Sequence, residues 1–170
     1  ACIPARLPVD DFKASRAQKR CWKKNDDIMV EQLDGINLGE HFPIYARYIE
    51  QRHSDGDMYP PSRRQFEDFL GNAWECTQFL EFRLGDQLIG CAVIDVIENG
   101  VSAIYTYFDP DFSDRGLGVL AILVEIDLAQ RLGLEHLYLG YWISGCDKMK
   151  YKTNYRPLEL YRQNSWRIAE

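Results

Sequence analysis

The spacing of apolar residues changes along the chain, and each change predicts a different kind of element. Residues 40–53 and 62–70 repeat apolar side chains at helical intervals, which predicts two helices. After these, the apolar period falls to two, and short Gly-containing turns separate three runs at 77–84, 88–97 and 101–109. These runs predict an antiparallel meander of three strands.

A long apolar helix and a further strand are predicted after the meander. Residues 116–132 carry an apolar stripe, and residues 134–142 are typical of a strand. Crossover connections through a helix normally join parallel strands, so the second strand should run parallel to 101–109. The C-terminal segment 158–169 predicts a hairpin that turns at Gln163–Asn164.

The N-terminal part predicts a basic helix followed by a strand. Ser15 can act as N-cap of a helix that continues to Asn25, with basic residues at helical spacing. Residues 28–33 are strand-like, and glycines follow them. No internal repeat or linker interrupts the 170 residues, whose length fits one globular domain.

Charge is distributed unevenly along the chain. The net charge is −6, but residues 1–24 hold seven Lys or Arg against two Asp, and residues 147–170 hold six against three acidic residues. The body between these ends is strongly acidic. Two basic ends favour contact with a polyanion through limited patches, and the alternative is ordinary solvated surface charge.

Other sequence features favour a cytoplasmic protein without a metal site. There is no apolar run of 18 residues and no signal-peptide pattern, so we expect a soluble cytoplasmic chain with no membrane contact. The five cysteines are odd in number and widely spaced, which favours reduced thiols over a disulfide framework or a zinc site. The three histidines also lack metal-ligand spacing, and we assign no metal.

The stretch "DRGLGVLAIL" (114–123) places flexible backbone at the start of the long helix. Unpaired amides and the helix dipole attract anions there, and glycine lets a phosphate approach the main chain. We therefore predict a donor or phosphate site formed by Arg115, Gly116, Leu117 and Gly118. The alternative is an ordinary turn, since R-G-x-G also occurs without any ligand.

The element order and the position of R-G-x-G resemble the GNAT acyltransferase fold. This fold class is mixed α/β, with a mostly antiparallel sheet and a parallel pair around the central helix. Longer motifs resemble the bacterial aminoacyl-tRNA–protein transferases, the arginyltransferase-like enzymes whose bacterial branch is assigned leucyl transfer to acidic N-termini. The motifs are "SDGDMYPPS", "FLEFRLGDQLIGCAVIDVI", "SAIYTYFDPDFSDRGLGVLAIL", "YLGYWISGCDKMKYK" and "RPLELY".

The resemblance implies a function and a domain organisation. It implies transfer of an amino acid from charged tRNA to proteins that begin with Asp or Glu, a signal for degradation, with aminoacyl-tRNA as co-substrate and no other cofactor. Residues 27–170 would form the GNAT-like domain, and residues 1–26 a basic segment remaining from an upstream domain. In the family, upstream cysteines hold a metal or cluster, and Cys2 is a candidate for the last of that set, but its partners are not in this sequence.

Three residues of the meander are candidates for the chemistry. Strand alternation puts Asp95 on a face with apolar neighbours, where burial would raise its pKa toward that of a general base. The alternative is an Asp near a strand end that reaches solvent or bonds to backbone. On the next strand, Tyr105 and Tyr107 are expected to share a face with Val101 and Ala103 and to donate to an oxyanion, unless they are core aromatics.

Cations are expected to bind the two charged substrates. An acidic N-terminal side chain needs a bidentate partner, for which Arg83 and Arg156 are candidates and Arg52 and Arg63 are alternatives. A strip of cationic and aromatic residues is expected to contact tRNA, or else to be a solvated charge run. It comprises Lys148, Lys150, Lys152 and Tyr151.

Two other functions remain open at this point. One is a coenzyme A-dependent GNAT N-acetyltransferase, which the R-G-x-G segment favours. The other is a non-catalytic protein that binds acidic N-termini or tRNA.

Overall fold

The computed structural model describes residues 2–71 and 74–170, which form one sheet with helices on both faces. The strands are β1 (Ile3–Pro8), β2 (Met29–Leu33), β3 (Thr77–Leu84), β4 (Gln87–Ile97), β5 (Gly100–Phe108), β6 (His136–Trp142), β7 (Glu159–Arg162) and β8 (Ser165–Ile168). The α-helices are α1 (Arg16–Lys24), α2 (Leu38–Arg52), α3 (Arg63–Gly71) and α4 (Leu117–Arg131). Short 3-10 segments cover Val9–Asp11, Pro110–Arg115 and Asp147–Asn154.

The sheet confirms the predicted fold class. Its strand order is β2-β3-β4-β5-β6-β1-β7-β8. Neighbouring strands are antiparallel except β5 and β6, the pair that α4 connects. The predicted meander and C-terminal hairpin are both confirmed, and Gln163 and Asn164 have the positive φ values that such a tight turn requires.

The two faces of the sheet bury different helices. Helices α2 and α3 pack on one face through residues such as Ile49 and Phe66, and α4 packs on the other through Leu120 and Val124. Helix α1 lies against α4 rather than on the sheet itself. We refer below to the α2 face and the α4 face.

The N-terminal segment contributes to both the sheet and the α4 face. Strand β1, which the sequence pattern did not predict, pairs with β6 and β7 inside the sheet. The predicted basic helix is confirmed as α1, with Ser15 and Gln18 forming a reciprocal capping box. Its last turn carries Lys23 and Lys24.

The face predicted for the β5 side chains is wrong, because a β-bulge interrupts the strand. Val93 pairs with Tyr105, but its neighbour Ile94 pairs with Ala103, so Ile104 is an extra residue. Alternation therefore reverses at Ile104. Ala103 belongs to the core of the α4 face, whereas Tyr105 belongs to that of the α2 face.

Two further findings concern what the described residues contain. Within residues 2–71 and 74–170, no helix combines the length and apolarity needed to cross a membrane. Over the same residues, no three His, Cys, Asp or Glu side chains are grouped so that they could hold a metal ion. The five cysteines are free thiols, and Cys2 is exposed.

Candidate active site

The parallel strands β5 and β6 stop pairing partway along their length. They pair only at their beginnings, where Gly100–Ser102 lies beside His136–Tyr138. In the described part of the chain, β5 continues to Phe108 and β6 to Trp142 without further pairing between them. We call the gap between these unpaired ends the interstrand groove. Along this gap, the described strands β5 and β6 make no ladder hydrogen bonds with each other, and the Tyr141 carbonyl oxygen of β6 accepts from Lys152.

The N-terminus of α4 lies at the end of β5, and its glycines have two different roles. Gly116 is the N-cap and has φ of 65°, a left-handed conformation that glycine adopts without strain. Gly118 lies in the first turn and is exposed, and apart from its chain neighbours and its own helix backbone, no atom of the described residues lies within 4 Å of the position that a Cβ would take. The first amides of α4 have no partner within the helix, so a phosphate can reach them past Gly118.

Leu117 and Arg115 have other contacts in the predicted donor site. The Leu117 side chain is 1% exposed and anchors α4 in the core, so only its backbone can contact a donor. The Arg115 guanidinium forms a bidentate ion pair with Asp27, at 2.7 and 3.0 Å. Its hydrogen bonds hold the pKa of Asp27 below the ordinary value. A phosphate would have to compete with Asp27 for this guanidinium.

The C-terminal end of α1 and helix α2 fix the loop that leads into α4. Asn25 donates to the carbonyl oxygen of Arg115 at 2.8 Å, and Lys24 donates to the carbonyl oxygen of Asp114. On the other side, Arg47 of α2 forms ion pairs with Asp109 and with Asp111. The basic helix α1 thus lies directly beside the amides of the predicted donor site.

Asp95 lies far from this loop. It is half-buried, accepts a hydrogen bond from Thr77 Oγ1 at 2.6 Å, and lines a cavity of about 270 Å³ on the α2 face. Its neighbour on β5 is Ser102, six residues before Phe108, which corresponds to about 20 Å along the strand. The structure therefore does not bring Asp95 together with the first turn of α4.

The two candidate tyrosines occupy different environments. Tyr105 is half-buried and contacts the rings of Tyr45 and Tyr48. Tyr107 is fully buried, and its hydroxyl lies 2.7 Å from His41 Nδ1. Burial raises the pKa of both tyrosines. The position of Tyr107 does not fit donation to an oxyanion, because its hydroxyl is enclosed and already has a partner.

The polar chain that includes Tyr107 also engages Arg83. His41 Nε2 lies 2.7 Å from Glu81, and Glu81 in turn binds Arg83 at 2.9 Å. Arg83 makes a second ion pair with Glu40 at 2.8 Å. Burial lowers the pKa of His41, although Glu81 acts in the opposite direction. The guanidinium of Arg83 is thus occupied by two carboxylates of the protein itself.

Arg156 lies on another part of the surface. It is exposed and, with Lys13, lines a cavity of about 360 Å³ next to β8. None of the residues that line this cavity belongs to β5 or α4. Of the two arginines predicted to bind an acidic N-terminus, Arg83 is therefore already paired, and Arg156 is remote from the interstrand groove.

The predicted tRNA strip is not one exposed surface. Lys148 and Lys150 are exposed and form ion pairs with Asp55 and Asp147. Lys152 is only 5% exposed, and it donates to the carbonyl oxygen of Tyr141 in β6. Burial lowers the pKa of this lysine. Its inclusion in an exposed strip is wrong, because the ammonium group lies inside the protein at the β6 wall of the groove.

Sequence reasoning missed a cluster of side chains around the groove. The ring of Tyr48 contacts both Tyr105 and Phe108, the last residue of β5. Burial raises the pKa of Tyr151, and the charges of Glu125 and Tyr48 act in the same direction. The helical spacing of Leu117, Ala121 and Glu125 in the sequence could have shown that this acid faces inward.

The chain is similar to known proteins over almost its whole length. The family model described as "Arginine-tRNA-protein transferase, C terminus" matches residues 40–162. An aspartate/glutamate leucyltransferase of Saccharophagus degradans is 50% identical over 167 residues, which are 98% of this chain and 71% of that protein. The enzyme of the same name from Pseudomonas fluorescens (strain Pf0-1) is 52% identical over 166 residues, 98% of this chain and 71% of that protein.

A solved structure supports the fold assignment. The ribosomal-protein-S18-alanine N-acetyltransferase from Escherichia coli superposes with a TM-score of 0.55 over 74% of this chain and 75% of that chain. The sequence identity is 19%, so this likeness concerns the GNAT-like fold alone. The family model and the two leucyltransferases, which match this chain over almost its whole length, together show that the chain belongs to the arginine-tRNA-protein transferase family.

Proposed function

We propose that this chain transfers leucine from the 3′ end of leucyl-tRNA to the α-amino group of proteins that begin with Asp or Glu, which marks them for degradation. The family and the name shared by its close relatives support this reaction. One structural observation carries it: the first turn of α4 lies at the end of β5, beside the interstrand groove, with Gly118 open on its outer side.

The reaction requires positioning more than strong acid or base chemistry. The amine nitrogen bonds to the ester carbonyl carbon, the bond from that carbon to the ribose oxygen breaks, and the nitrogen loses a proton to the leaving oxygen or to solvent. Aminolysis of an activated ester is favourable, so alignment of the two substrates supplies much of the acceleration. The unpaired edges of β5 and β6 can hold an extended substrate in line with α4.

The groups around the groove have separate roles in this proposal. The amides beside Gly118 hold a phosphate near the 3′ end of the tRNA, and Tyr105 donates to the oxyanion. Asp95 lies on β4 about 20 Å from the end of β5 that leads into α4, so it does not act as the base in this proposal.

The basic helix α1 fits the acceptor stem of the tRNA. Lys23 and Lys24 lie in its last turn, beside the loop that carries Arg115. Phosphates that follow the 3′ end would therefore meet positive charge next to the donor site. Because charged tRNA is a cytoplasmic substrate, we place the reaction in the cytoplasm.

The choice of donor tests this proposal. Purified protein is incubated with a peptide that begins with Asp, and with either leucyl-tRNA or acetyl-CoA. We expect a leucyl-peptide, detected by mass spectrometry, from the tRNA alone. Acetylation of the peptide with no leucyl transfer would indicate the coenzyme A-dependent reaction, and binding without any product would indicate a non-catalytic protein. Either outcome would contradict the proposal.

A further inference from the structure

We propose that Arg52 binds the side-chain carboxylate of the N-terminal Asp or Glu of the protein substrate and so determines the preference for acidic N-termini. This inference rests on the proposed function, because it names the residue that recognises the acidic N-terminus of the protein substrate. It favours Arg52, one of the two alternatives that the sequence offered, over the first candidates Arg83 and Arg156.

Arg52 lies at the same end of β5 as the predicted donor site. It is the last residue of α2, and its Cζ atom lies 5.1 Å from the ring centroid of Phe108, the last residue of β5. Tyr48, one turn earlier in α2, packs its ring on the same Phe108 at 5.0 Å between centroids. The loop after Phe108 leads directly into α4. An acceptor bound at Arg52 would therefore lie beside the mouth of the interstrand groove.

The guanidinium of Arg52 is available, whereas those of three other arginines are occupied. Arg47, Arg83 and Arg115 are each held by carboxylates of the protein. Arg52 is exposed and forms no ion pair with any carboxylate of residues 2–71 and 74–170. It can bind a new carboxylate without breaking an existing pair.

Other charged groups near Arg52 do not compete with it. Lys148 forms an ion pair with Asp55 at 2.8 Å. Burial, together with the charge of Arg52, lowers the pKa of His53, so this imidazole is neutral near pH 7. His53 lies 3.0 Å from the hydroxyl of Tyr48, and its ring contacts the Tyr48 ring. Among the described residues of this small surface, Arg52 is thus the cation without a carboxylate partner.

The geometry of the group suits an acidic side chain. A guanidinium donates two parallel hydrogen bonds to a carboxylate, and the amide of Asn or Gln cannot replace that charge. The Phe108 ring supports the guanidinium plane, which reduces the entropy lost when a ligand binds. Asp and Glu carry their carboxylates one and two methylenes from the α-carbon, so binding at Arg52 also locates the α-amino group.

The test compares two arginine variants with two peptides. Arg52→Gln removes the proposed contact, and Arg64→Gln removes an arginine whose side chain is 92% exposed on α3. Leucyl transfer is measured with peptides that begin with Asp or with Asn. In Arg52→Gln we expect KM for the Asp peptide to rise about tenfold or more, with little change for the Asn peptide or in KM for leucyl-tRNA. Arg64→Gln should behave like the unmodified protein.

Two outcomes would overturn the inference. One is a preference for the Asp peptide over the Asn peptide in Arg52→Gln that equals that of the unmodified protein. The other is a rise in KM for leucyl-tRNA as large as the rise in KM for the Asp peptide. Binding of the two peptides without tRNA is measured in parallel by fluorescence anisotropy. If no leucine is transferred, the proposed function fails, but the anisotropy still decides whether Arg52 selects the acidic peptide.

Discussion

At the scale of single residues, Glu125 is a buried acid on a helix whose other inward positions are apolar. Its side chain is 1% exposed, and Oε2 has no hydrogen-bond partner among the described residues. Burial raises the pKa of its carboxyl from 4.5 to about 8. The folded protein therefore retains a proton that the unfolded chain releases at neutral pH, and this difference makes stability depend on pH.

We predict that Glu125→Gln stabilises the protein increasingly as the pH rises. A carboxyl with a raised pKa supports the fold fully below pH 4.5, and this support is lost as the pH approaches the folded-state pKa of about 8. Gln does not ionise, so its contribution to the free energy of unfolding does not change over this pH range. The gain in the free energy of unfolding on substitution should be about 2 kcal/mol larger at pH 7 than at pH 5, measured by urea denaturation.

A neighbouring exposed acid provides the control for this measurement. Asp127→Asn changes a side chain on the same helix that pairs with Arg131 at the surface. Its effect on stability should be small, of the order of 0.5 kcal/mol. A Glu125→Gln effect that is the same at both pH values would show that the carboxylate is ionised in the folded protein.

At the scale of elements, helix α2 is attached to the sheet by polar contacts as well as by apolar packing. His41 of α2 lies 2.7 Å from Tyr107 of β5 and 2.7 Å from Glu81 of β3, and all three side chains are buried. Buried polar groups are costly unless each has a partner. These buried contacts of His41 therefore fix the position of the helix that carries Tyr48 and Arg52.

We predict that Tyr107→Phe destabilises the protein by about 1–3 kcal/mol, because His41 Nδ1 then loses its buried partner. Tyr105→Phe is the matched control, since it removes a hydroxyl from the same strand on the same face. It should change the free energy of unfolding by less than about 0.5 kcal/mol. Equal effects of the two substitutions in urea denaturation would contradict a structural role of the Tyr107 hydroxyl.

At the scale of the whole molecule, local patterns predicted the elements but not all of their long-range positions. The period of 3.6 predicted α4, and alternation predicted the meander, because each pattern depends on neighbouring residues. Strand β1 was missed because Pro4 and Pro8 weaken its strand pattern, and its place is decided by pairing with β6, more than 125 residues away.

The candidate site was predictable only in part, for the same reason. The R-G-x-G segment is a local signal, and it lies where predicted, at the start of α4. The bulge at Ile104 has no local signal, so the faces of Ala103 and Tyr105 could not be derived from alternation. Burial of Lys152 depends on a carbonyl group of β6, and the freedom of Arg52 depends on where several carboxylates lie in space.

The central claim is that the first turn of α4 binds the anionic end of the donor, and Gly118→Val tests it most directly. Gly39→Val is a matched control, because Gly39 is the second residue of α2 just as Gly118 is the second residue of α4. Outside its chain neighbours and its own helix backbone, a Cβ at Gly118 has no atom of the described residues within 4 Å, so we expect a loss of affinity to come from contact with the donor.

The measurement is the Kd for leucyl-tRNA of the unmodified protein and of both glycine variants. The account predicts a rise of about tenfold or more for Gly118→Val, which corresponds to about 1.4 kcal/mol, and no change for Gly39→Val. An unchanged Kd for Gly118→Val would contradict the donor site at α4.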